Sequence, residues 1–328
     1  MKKVSVIVPA YNAHDTIDEC LTSIVSQSIF GDMDLLIIDD CSTDDTVERV
    51  GVYEKRFPDN IMLIKLEKNR GPGYARNVAM EYANGEYIGF VDSDDAVVPV
   101  MYEKLYVEAA RVGADVVDGG FYDQAKDNAI IYTSDDLTGV QDDHKRSVLI
   151  TSGGYIWSKL YRRSFLLEED IRFREEYVLE DMDFLMEVIC KMKSITNVKE
   201  ILYIYRDSVG SLSKTVDVDE YMRSAISAMK AIYKKLSCLP CYEGVCEAVE
   251  YTILQLYSFS VNINLSAVKE GKLNRECALI NLSYLRELRF DLARIGYNNL
   301  YVRNKISSVD LRIMMENDIS PDRVLSRV

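Results

Sequence analysis

The chain has 328 residues, 48% of them hydrophobic, which is enough to bury the core of one large domain or of a domain with a substantial extension. Its 39 basic and 53 acidic side chains give a formal net charge of −14, which argues against nucleic acid as a partner. Every apolar stretch is shorter than the roughly 18 residues that a membrane span needs, so we expect no transmembrane segment. The apolar run after the start stops at Pro9, too short for a secretory signal.

Cysteine usage points to a reducing compartment. The seven cysteines are odd in number and mostly scattered, so we expect a cytoplasmic protein, with contact to the inner face of the membrane left open. One local group, Cys238-Leu-Pro-Cys241 followed by Cys246, has the look of a metal or redox motif. Because no second cysteine pair or histidine pair completes a tetrahedral site, we favour ordinary thiols.

Short β-branched segments alternate with helical segments over about the first 120 residues. The predicted strands are largely apolar throughout, as expected of parallel strands covered on both faces: Val4–Val8, Leu35–Ile38, Met62–Leu66 and Tyr87–Val91. The helices predicted between them are His14–Ser26, Asp44–Arg56 and Gly73–Ala83. This order predicts an α/β fold with a mostly parallel, doubly wound, Rossmann-like sheet.

Polar clusters follow three of these strands. They are Pro9 to Asn12, the pair Asp39-Asp40, and Asp92-Ser93-Asp94-Asp95. Ligands of such sheets bind outside the carboxyl ends of the strands, so we expect the clusters to converge on one crevice. Three neighbouring acids repel one another unless a cation or a substrate neutralises them. A capped turn would also explain the acids, but convergence on one edge favours a binding site.

The rest of the chain divides near residue 215. A helix to about Val112 and a strand at Asp115–Gly119 extend the sheet, and the polar segment 123–143 is predicted to be an exposed hairpin or loop. A helix over Glu175–Lys193 starts with several acids, two of which the helix dipole explains. We expect a catalytic domain over 1–215 and a helical extension over 216–328. The extension would serve packing or homodimer formation, and adsorption to a membrane surface is the less favoured alternative.

Four motifs follow one another along the first part of the chain: VIVPAYN (6–12), IIDDCSTD (37–44), NRGPGYARN (69–77) and GEYIGFVDSDD (85–95). In their order and spacing the chain resembles the family 2 glycosyltransferases. The likeness continues more loosely to about residue 215. It implies a GT-A fold with a C-terminal helical extension, a UDP-sugar donor and inversion at the anomeric carbon. It also implies a role in assembling bacterial surface polysaccharide.

The resemblance assigns the donor side of the site. The residues expected to border the nucleotide, its ribose or its diphosphate are Pro9, Tyr11, Asn12, Asp39, Arg76, Asp92 and Ser93. A divalent cation would bind at the acidic cluster, with Asp94 as the direct ligand and with Asp92 and Asp95 beside it. Ligation by carboxylates alone selects Mg²⁺ or Mn²⁺, and the resemblance favours Mn²⁺.

The residues expected on the acceptor side follow the four motifs in the chain. The resemblance makes Asp181 the base that deprotonates the acceptor hydroxyl, with Glu180 as its neighbour, and places Trp157 and Lys159 on the acceptor side. Many relatives carry a histidine beyond the base, and none follows His144 here. The residues that could replace it are Arg206, Ser211 and Lys214. No motif of processive synthases is found, so we expect transfer of a single hexose or N-acetylhexosamine to a glycan, lipid-linked or protein-linked acceptor.

Two other functions fit parts of the sequence. A sugar-phosphate nucleotidyltransferase uses a similar sheet, but it needs a glycine-rich basic loop near the start, and Pro9 to Asp18 contains no Gly, Lys or Arg. A non-catalytic nucleotide-binding scaffold for partner transferases would have no need of Asp181.

Overall fold

A computed structural model describes residues 2–175, 178–206 and 217–328. Within these ranges the chain forms two compact units. The first comprises residues up to 142 together with those from 153 to 206, and the second comprises 143–152 together with those from 217 onward. A helix from the middle of the chain, Asp143–Ser152, therefore belongs with the C-terminal helices, an inclusion that the sequence did not suggest.

The first unit contains one sheet of ten strands. The strands are β1 Val4–Ala10, β2 Met33–Asp39, β3 Ile61–Lys65, β4 Tyr87–Phe90, β5 Ala96–Val97, β6 Val116–Asp123, β7 Asn128–Ile130, β8 Gly139–Val140, β9 Lys159–Arg162 and β10 Ser194–Tyr205. Their order is β3-β2-β1-β4-β9-β6-β10-β5, with β7 paired to β6 and β8 paired to β10.

Helices follow most strands of this sheet, and a group of helices forms the second unit. In chain order they are α1 Ile17–Val25, α2 Thr46–Arg56, α3 Pro72–Tyr82, α4 Met101–Val112, α5 Asp143–Ser152, α6 Arg163–Glu168, α7 Glu180–Lys191, α8 Val218–Leu236, α9 Tyr242–Lys269, α10 Arg275–Leu292, α11 Leu300–Lys305, α12 Ser308–Ile319 and α13 Pro321–Leu325. The α/β class predicted from the sequence is confirmed, as is the helical C-terminal region.

Strand direction explains where the site forms. Strands β3, β2, β1 and β4 run parallel, so their carboxyl ends share one edge. Strand β9 is antiparallel between β4 and β6, and β6 is parallel to β10. Strands β1 and β4 are buried throughout, whereas β3 is an edge strand on which Met62 is 43% exposed. The expectation that β3 is buried on both faces was therefore wrong: among the described strands β3 is the last at its end of the sheet, and Met62 and Lys65 are both exposed.

The helical unit is built around α9, which packs against α5, α8 and α10. Its interior contains a charge centre formed by Asp318, Arg289 and two tyrosines. The two carboxylate oxygens of Asp318 accept hydrogen bonds from the hydroxyls of Tyr257, at 2.7 Å, and Tyr297, at 2.6 Å. Arg289 Nε lies 3.1 Å from the same carboxylate. Among the helices in the described ranges, none combines the length and the apolar character that crossing a membrane requires.

Candidate active site

A buried arginine joins two parts of the chain that are about 100 residues apart in sequence. Arg76, on α3, is 4% exposed. One guanidinium nitrogen lies 2.7 Å from Asp92 Oδ1, and another donates a short hydrogen bond to Glu180 Oε1. Asp92 follows β4, and Glu180 is the first residue of α7. The ion pairs therefore hold the acidic cluster after β4 beside the start of α7.

A glycine lets α3 approach closely enough for this bridge. A Cβ on Gly73 would lie 2.0 Å from the carbonyl oxygen of Arg174 and 3.1 Å from Glu180 Cγ. Such contacts are impossible without moving the backbone around Arg174. Gly73 therefore sets the distance between α3 and the segment that leads to Glu180, one helical turn before Arg76.

The start of α7 is strained. Leu179, the residue before Glu180, has φ +64°, a left-handed conformation that is uncommon for residues other than glycine. Strain of this kind persists where the surroundings impose it, and it clusters at functional sites. The conformation turns the chain abruptly into α7, with Glu180 buried and Asp181 half-buried.

Asp181 has an unusual proton affinity. Burial, followed by the charge of Glu180, raises the pKa of Asp181 to about 7, although Arg76 opposes the shift. A carboxyl with a pKa near neutral pH is well matched to general base catalysis. Asp181 therefore has a proton affinity suited to a general base.

The acids after β4 differ from one another. Asp92 and Asp94 are half-buried, as is Ser93, whereas Asp95 is fully buried. The carboxylate of Asp95 accepts hydrogen bonds from the hydroxyl of Tyr203, at 2.6 Å, and from the backbone N–H of Arg206, at 2.9 Å. Burial, with the charge of Asp92 next, raises the pKa of Asp95 to about 8. Asp95 therefore anchors this loop to the end of β10.

The residues predicted at the nucleotide lie at the ends of β1 and β2. Asp39 is 4% exposed, and its two oxygens lie 3.3 Å from the backbone N–H of Ser42. Asn12 has φ +47°, and its side-chain oxygen accepts the N–H of Thr43 at 2.8 Å. Pro9 pairs with Ile38 in the sheet, and Tyr11 is 46% exposed. These contacts join the two strand ends beside an exposed aromatic ring.

Asp40 is a residue of this region to which sequence reasoning gave no role. It is 3% exposed, and its two oxygens accept the backbone N–H groups of Arg70, at 2.8 Å, and Gly71, at 2.7 Å. Asp40 thus ties the end of β2 to the start of α3. The only signal in the sequence was its place beside Asp39 at a strand end.

Trp157 and Lys159, predicted on the acceptor side, are both buried. Trp157 is 3% exposed and stacks on Tyr203 with 4.1 Å between ring centroids. Lys159 is 5% exposed; its ammonium lies 2.9 Å from Asp118 and donates to the carbonyl of Tyr155, also at 2.9 Å. Their sequence positions do place them at the carboxyl end of β4, since Leu160 pairs with Gly89. Their acceptor-side role stays a prediction.

Of the residues proposed to replace the missing histidine, only Arg206 can be placed. Its guanidinium forms an ion pair with Glu19 at 2.7 Å, and its backbone N–H binds Asp95. Ser211 and Lys214 fall outside the described residues.

The acidic cluster suits a cation that a diphosphate helps to bind. The described part of the chain contains no group of three or more His, Cys, Asp or Glu side chains able to bind a metal ion by themselves. Mg²⁺ and similar ions commonly take one or two carboxylates and complete their shell with substrate phosphates and water. Asp92 and Asp94 provide such carboxylates, and both are half-buried.

Comparison with known proteins identifies the family. The sequence model of glycosyl transferase family 2 matches residues 5–169, half of the chain. The chain belongs to this family. It is 31% identical to the uncharacterized glycosyltransferase EpsJ of Bacillus subtilis (strain 168) over 250 residues, covering 70% of this chain and 69% of that protein. The glycosyltransferase assignment made from the four motifs is therefore confirmed.

Two further similarities extend beyond the motif region of this glycosyltransferase. It is 26% identical to the cholesterol galactosyltransferase of Borreliella burgdorferi over 328 residues, covering 93% of this chain and 90% of that one. Its fold matches the crystal structure of S. aureus TarS 1-349 in complex with UDP-GlcNAc, with a TM-score of 0.71 and 23% identity. That match covers 97% of this chain and 91% of the other, so the fold likeness includes the helical region.

Proposed function

We propose that this glycosyltransferase moves a single hexose or N-acetylhexosamine from a UDP-sugar to a hydroxyl group, with Mn²⁺ or Mg²⁺ and with inversion. The acceptor hydroxyl belongs to a glycan, a lipid-linked or a protein-linked molecule. The observation that carries the proposal is the Arg76 bridge, which brings the acids after β4 beside the half-buried Asp181. The leaving group, bound at the acids after β4, and the base, Asp181, would then lie at the same reaction centre.

The chemistry follows from these positions. As the acceptor oxygen forms its bond to C1 of the sugar, the bond from C1 to the diphosphate breaks on the opposite face, through an oxocarbenium-like state. The hydroxyl proton passes to Asp181, and the electron pair of the broken bond leaves with UDP. The charge of Glu180, which accepts a hydrogen bond from Arg76, raises the proton affinity of Asp181.

On the donor side, Asp92 and Asp94 would bind the cation. When bound, a divalent cation supplies charge that stabilises the departing diphosphate. Asp39 suits the imide N–H of uracil as a hydrogen-bond acceptor, and the exposed ring of Tyr11 is available to border the nucleotide. Support for a UDP-sugar comes from the TarS complex with UDP-GlcNAc, and support for a hexose comes from the galactosyltransferase that is similar to this chain.

We also propose the cellular setting that the resemblance implied. The reaction would serve surface-polysaccharide assembly on the cytoplasmic side of the membrane, and the region after residue 216 would act in packing or homodimer formation. The named relatives support a role in the synthesis of glycoconjugates.

Calorimetry with UDP tests the donor site. In the presence of Mn²⁺ we expect the native protein to bind UDP, and we expect Asp94→Ala to weaken binding at least about tenfold, the loss of one charge-assisted ligand. Asp59→Ala, at an exposed position before β3, is the matched control and should bind as the native protein does.

Two results would contradict the proposal. One is a native protein that binds no UDP with Mn²⁺, and the other is an Asp94→Ala variant with unchanged affinity. Release of pyrophosphate from UTP and a sugar phosphate would favour the nucleotidyltransferase instead.

A further inference from the structure

A layer of aromatic rings lies near the ends of β6 and β10, where Tyr203 contacts Asp95 of the acidic cluster. The rings of Tyr155, Trp157, Tyr203 and Tyr205 stack nearly parallel, with interplanar angles of 6° to 16°. Trp157 and Tyr203 are buried, whereas Tyr155 and Tyr205 are half-buried. Tyr132, also half-buried, lies 6.1 Å from Tyr155 between ring centroids. We call Tyr132, Tyr155 and Tyr205 the tyrosine platform.

The platform lies on the reaction side of the sheet. Tyr205 is the last residue of β10, and it pairs with Asp123 at the end of β6. Tyr155 precedes β9, which runs antiparallel to β4, so it too is at the edge where β4 ends. Adjacent strands are about 4.8 Å apart, which puts β6 about 20 Å from β2 and about 10 Å from β4. The platform is therefore distant from Asp39 and close to Asp92.

The neighbours of the platform lie close to the acids of the site. The hydroxyl of Tyr203, beneath the platform, donates to Asp95 at 2.6 Å and accepts the backbone N–H of Asp92 at 3.3 Å. On the other side, a Cβ on Gly154 would lie 3.8 Å from Tyr132 and 3.7 Å from Leu185. Leu185 is one helical turn after Asp181 on α7, on the same helix face.

The charges around Tyr155 agree with this placement. Burial raises the pKa of Tyr155, the ammonium of Lys126 offsets part of that rise, and Asp181 is among the acids that add to it. Tyr155 is thus within electrostatic range of the base and of an exposed cation. Lys126 is paired with Asp123 at 2.9 Å, and the side chain of Lys126 is 72% exposed.

We propose that the tyrosine platform binds the acceptor as a pyranose ring, stacked on the faces of Tyr155 and Tyr205 beside Asp181. This inference rests on the proposed function and names the class of acceptor. Aromatic faces carry negative charge and attract the C–H groups on the apolar face of a sugar ring. Tyrosine hydroxyls and the Lys126–Asp123 pair can hydrogen-bond the hydroxyls at its rim.

The polar rim favours a sugar over a sterol. A sterol ring system is apolar at nearly every edge, so it would leave the groups of Lys126, Asp123 and the tyrosine hydroxyls without new partners. A pyranose carries hydroxyls around its whole circumference and satisfies such groups. Trp157 and Lys159 then act behind the platform, as positioning residues that hold Tyr155 through stacking at 4.6 Å and a hydrogen bond to its carbonyl.

The single tryptophan provides a direct reporter. Trp157 is the only tryptophan of the chain and stacks on Tyr155. With UDP and Mn²⁺ present, we expect methyl β-glucoside, methyl β-galactoside or methyl β-N-acetylglucosaminide to change its emission in a saturable way. Tyr155→Ala and Tyr205→Ala should each weaken the binding of that glycoside about threefold to tenfold, the range expected for one aromatic contact. Tyr82→Ala, an exposed tyrosine on α3, is the control and should leave it unchanged.

The readout separates this inference from the proposed function, because it needs no turnover. Saturable binding without transfer would support the platform and count against the transferase chemistry. If Tyr155→Ala and Tyr205→Ala melt at the native temperature and still bind the glycoside as tightly as the native protein, the tyrosine platform does not bind the acceptor. The inference would also be overturned if cholesterol in detergent micelles changes the Trp157 emission when none of the glycosides does, since that result would make the site a sterol site.

Discussion

Both units bury acidic side chains, but they balance the charge differently. In the helical unit, one acid, Asp318, receives two tyrosine hydroxyls and faces one arginine. In the sheet unit, Arg76 is shared by Asp92 and Glu180, and Asp181 stands beside them with its pKa raised to about 7. A balanced centre holds helices together, whereas an excess of acids costs stability unless a substrate or a cation completes it. We infer that the imbalance marks the proposed reaction centre.

Removing Arg76, which Asp92 and Glu180 share, should produce the largest effect on stability. Arg76→Ala leaves Asp92 and Glu180 facing each other without a partner, and we expect a loss of about 3–5 kcal/mol in the free energy of unfolding. Lys55→Ala, at an exposed position of α2, should stay within about 0.5 kcal/mol of the native protein. Urea denaturation compares the two variants. A loss for Arg76→Ala as small as that of the control would show that the bridge contributes little to stability.

Two glycine substitutions test whether the close approach of α3 positions Glu180 for its ion pair with Arg76. Gly73→Ala places a methyl group against the carbonyl of Arg174, and we expect it to cost about 1–3 kcal/mol and to lower turnover by moving Glu180. Gly51→Ala, inside α2, meets no atom within 4 Å and should instead stabilise the protein by about 0.5–1 kcal/mol. Thermal melting together with UDP-sugar turnover distinguishes them. Equal melting temperatures for the two variants would contradict the close approach of α3.

Changing Asp318, the acid of the charge centre in the helical unit, should lower stability and leave turnover nearly unchanged. Asp318→Asn removes the carboxylate charge that pairs with Arg289 in the helical unit, at a cost of about 1–3 kcal/mol. Turnover per folded molecule should remain within about twofold of the native value, measured below the melting temperature. A large fall in turnover would mean that the helical unit takes part in the reaction, and the comparison between the two centres would fail.

The sheet was predictable because its signal is local. Strands β1, β2 and β4 are continuous apolar runs, and the acids that follow them share one edge once the strands are parallel. Strand β3 was misjudged because periodicity does not show which strand lies at the edge of a sheet. The roles expected of Asp94 and Asp181 came from the resemblance to family 2, since the helix dipole already explains two of the three acids at the start of α7.

Contacts between distant parts of the chain were beyond sequence reasoning. Arg76 and Glu180 are separated by 104 residues, and Tyr203 and Asp95 by 108, so no spacing rule connects them. Trp157 gave no sign of whether it lines a pocket or supports one, because a buried stack and an exposed ring have the same local pattern. The sequence of α5 does not indicate that it joins the helical unit, because its partner α9 begins about 100 residues later.

The effect of pH on turnover follows from the base. As the proposed base, Asp181 would have to be ionised to accept the hydroxyl proton, and its pKa is raised to about 7, chiefly by burial. Turnover should therefore rise about tenfold per pH unit below that value and level off above it. Because this pKa exceeds the value of about 3.9 expected in the unfolded chain, ionised Asp181 lowers stability as pH rises between the two values. Asp181→Asn should thus melt at a higher temperature than the native protein at pH 8.

Turnover of Asp181→Asn at pH 8, with a UDP-sugar that the native protein uses, tests the central claim most directly. We expect a loss of at least about 10²-fold with UDP affinity unchanged, and with the pH dependence near 7 abolished in the residual activity. A variant that binds UDP normally and retains turnover within tenfold of the native value would show that Asp181 is not the base.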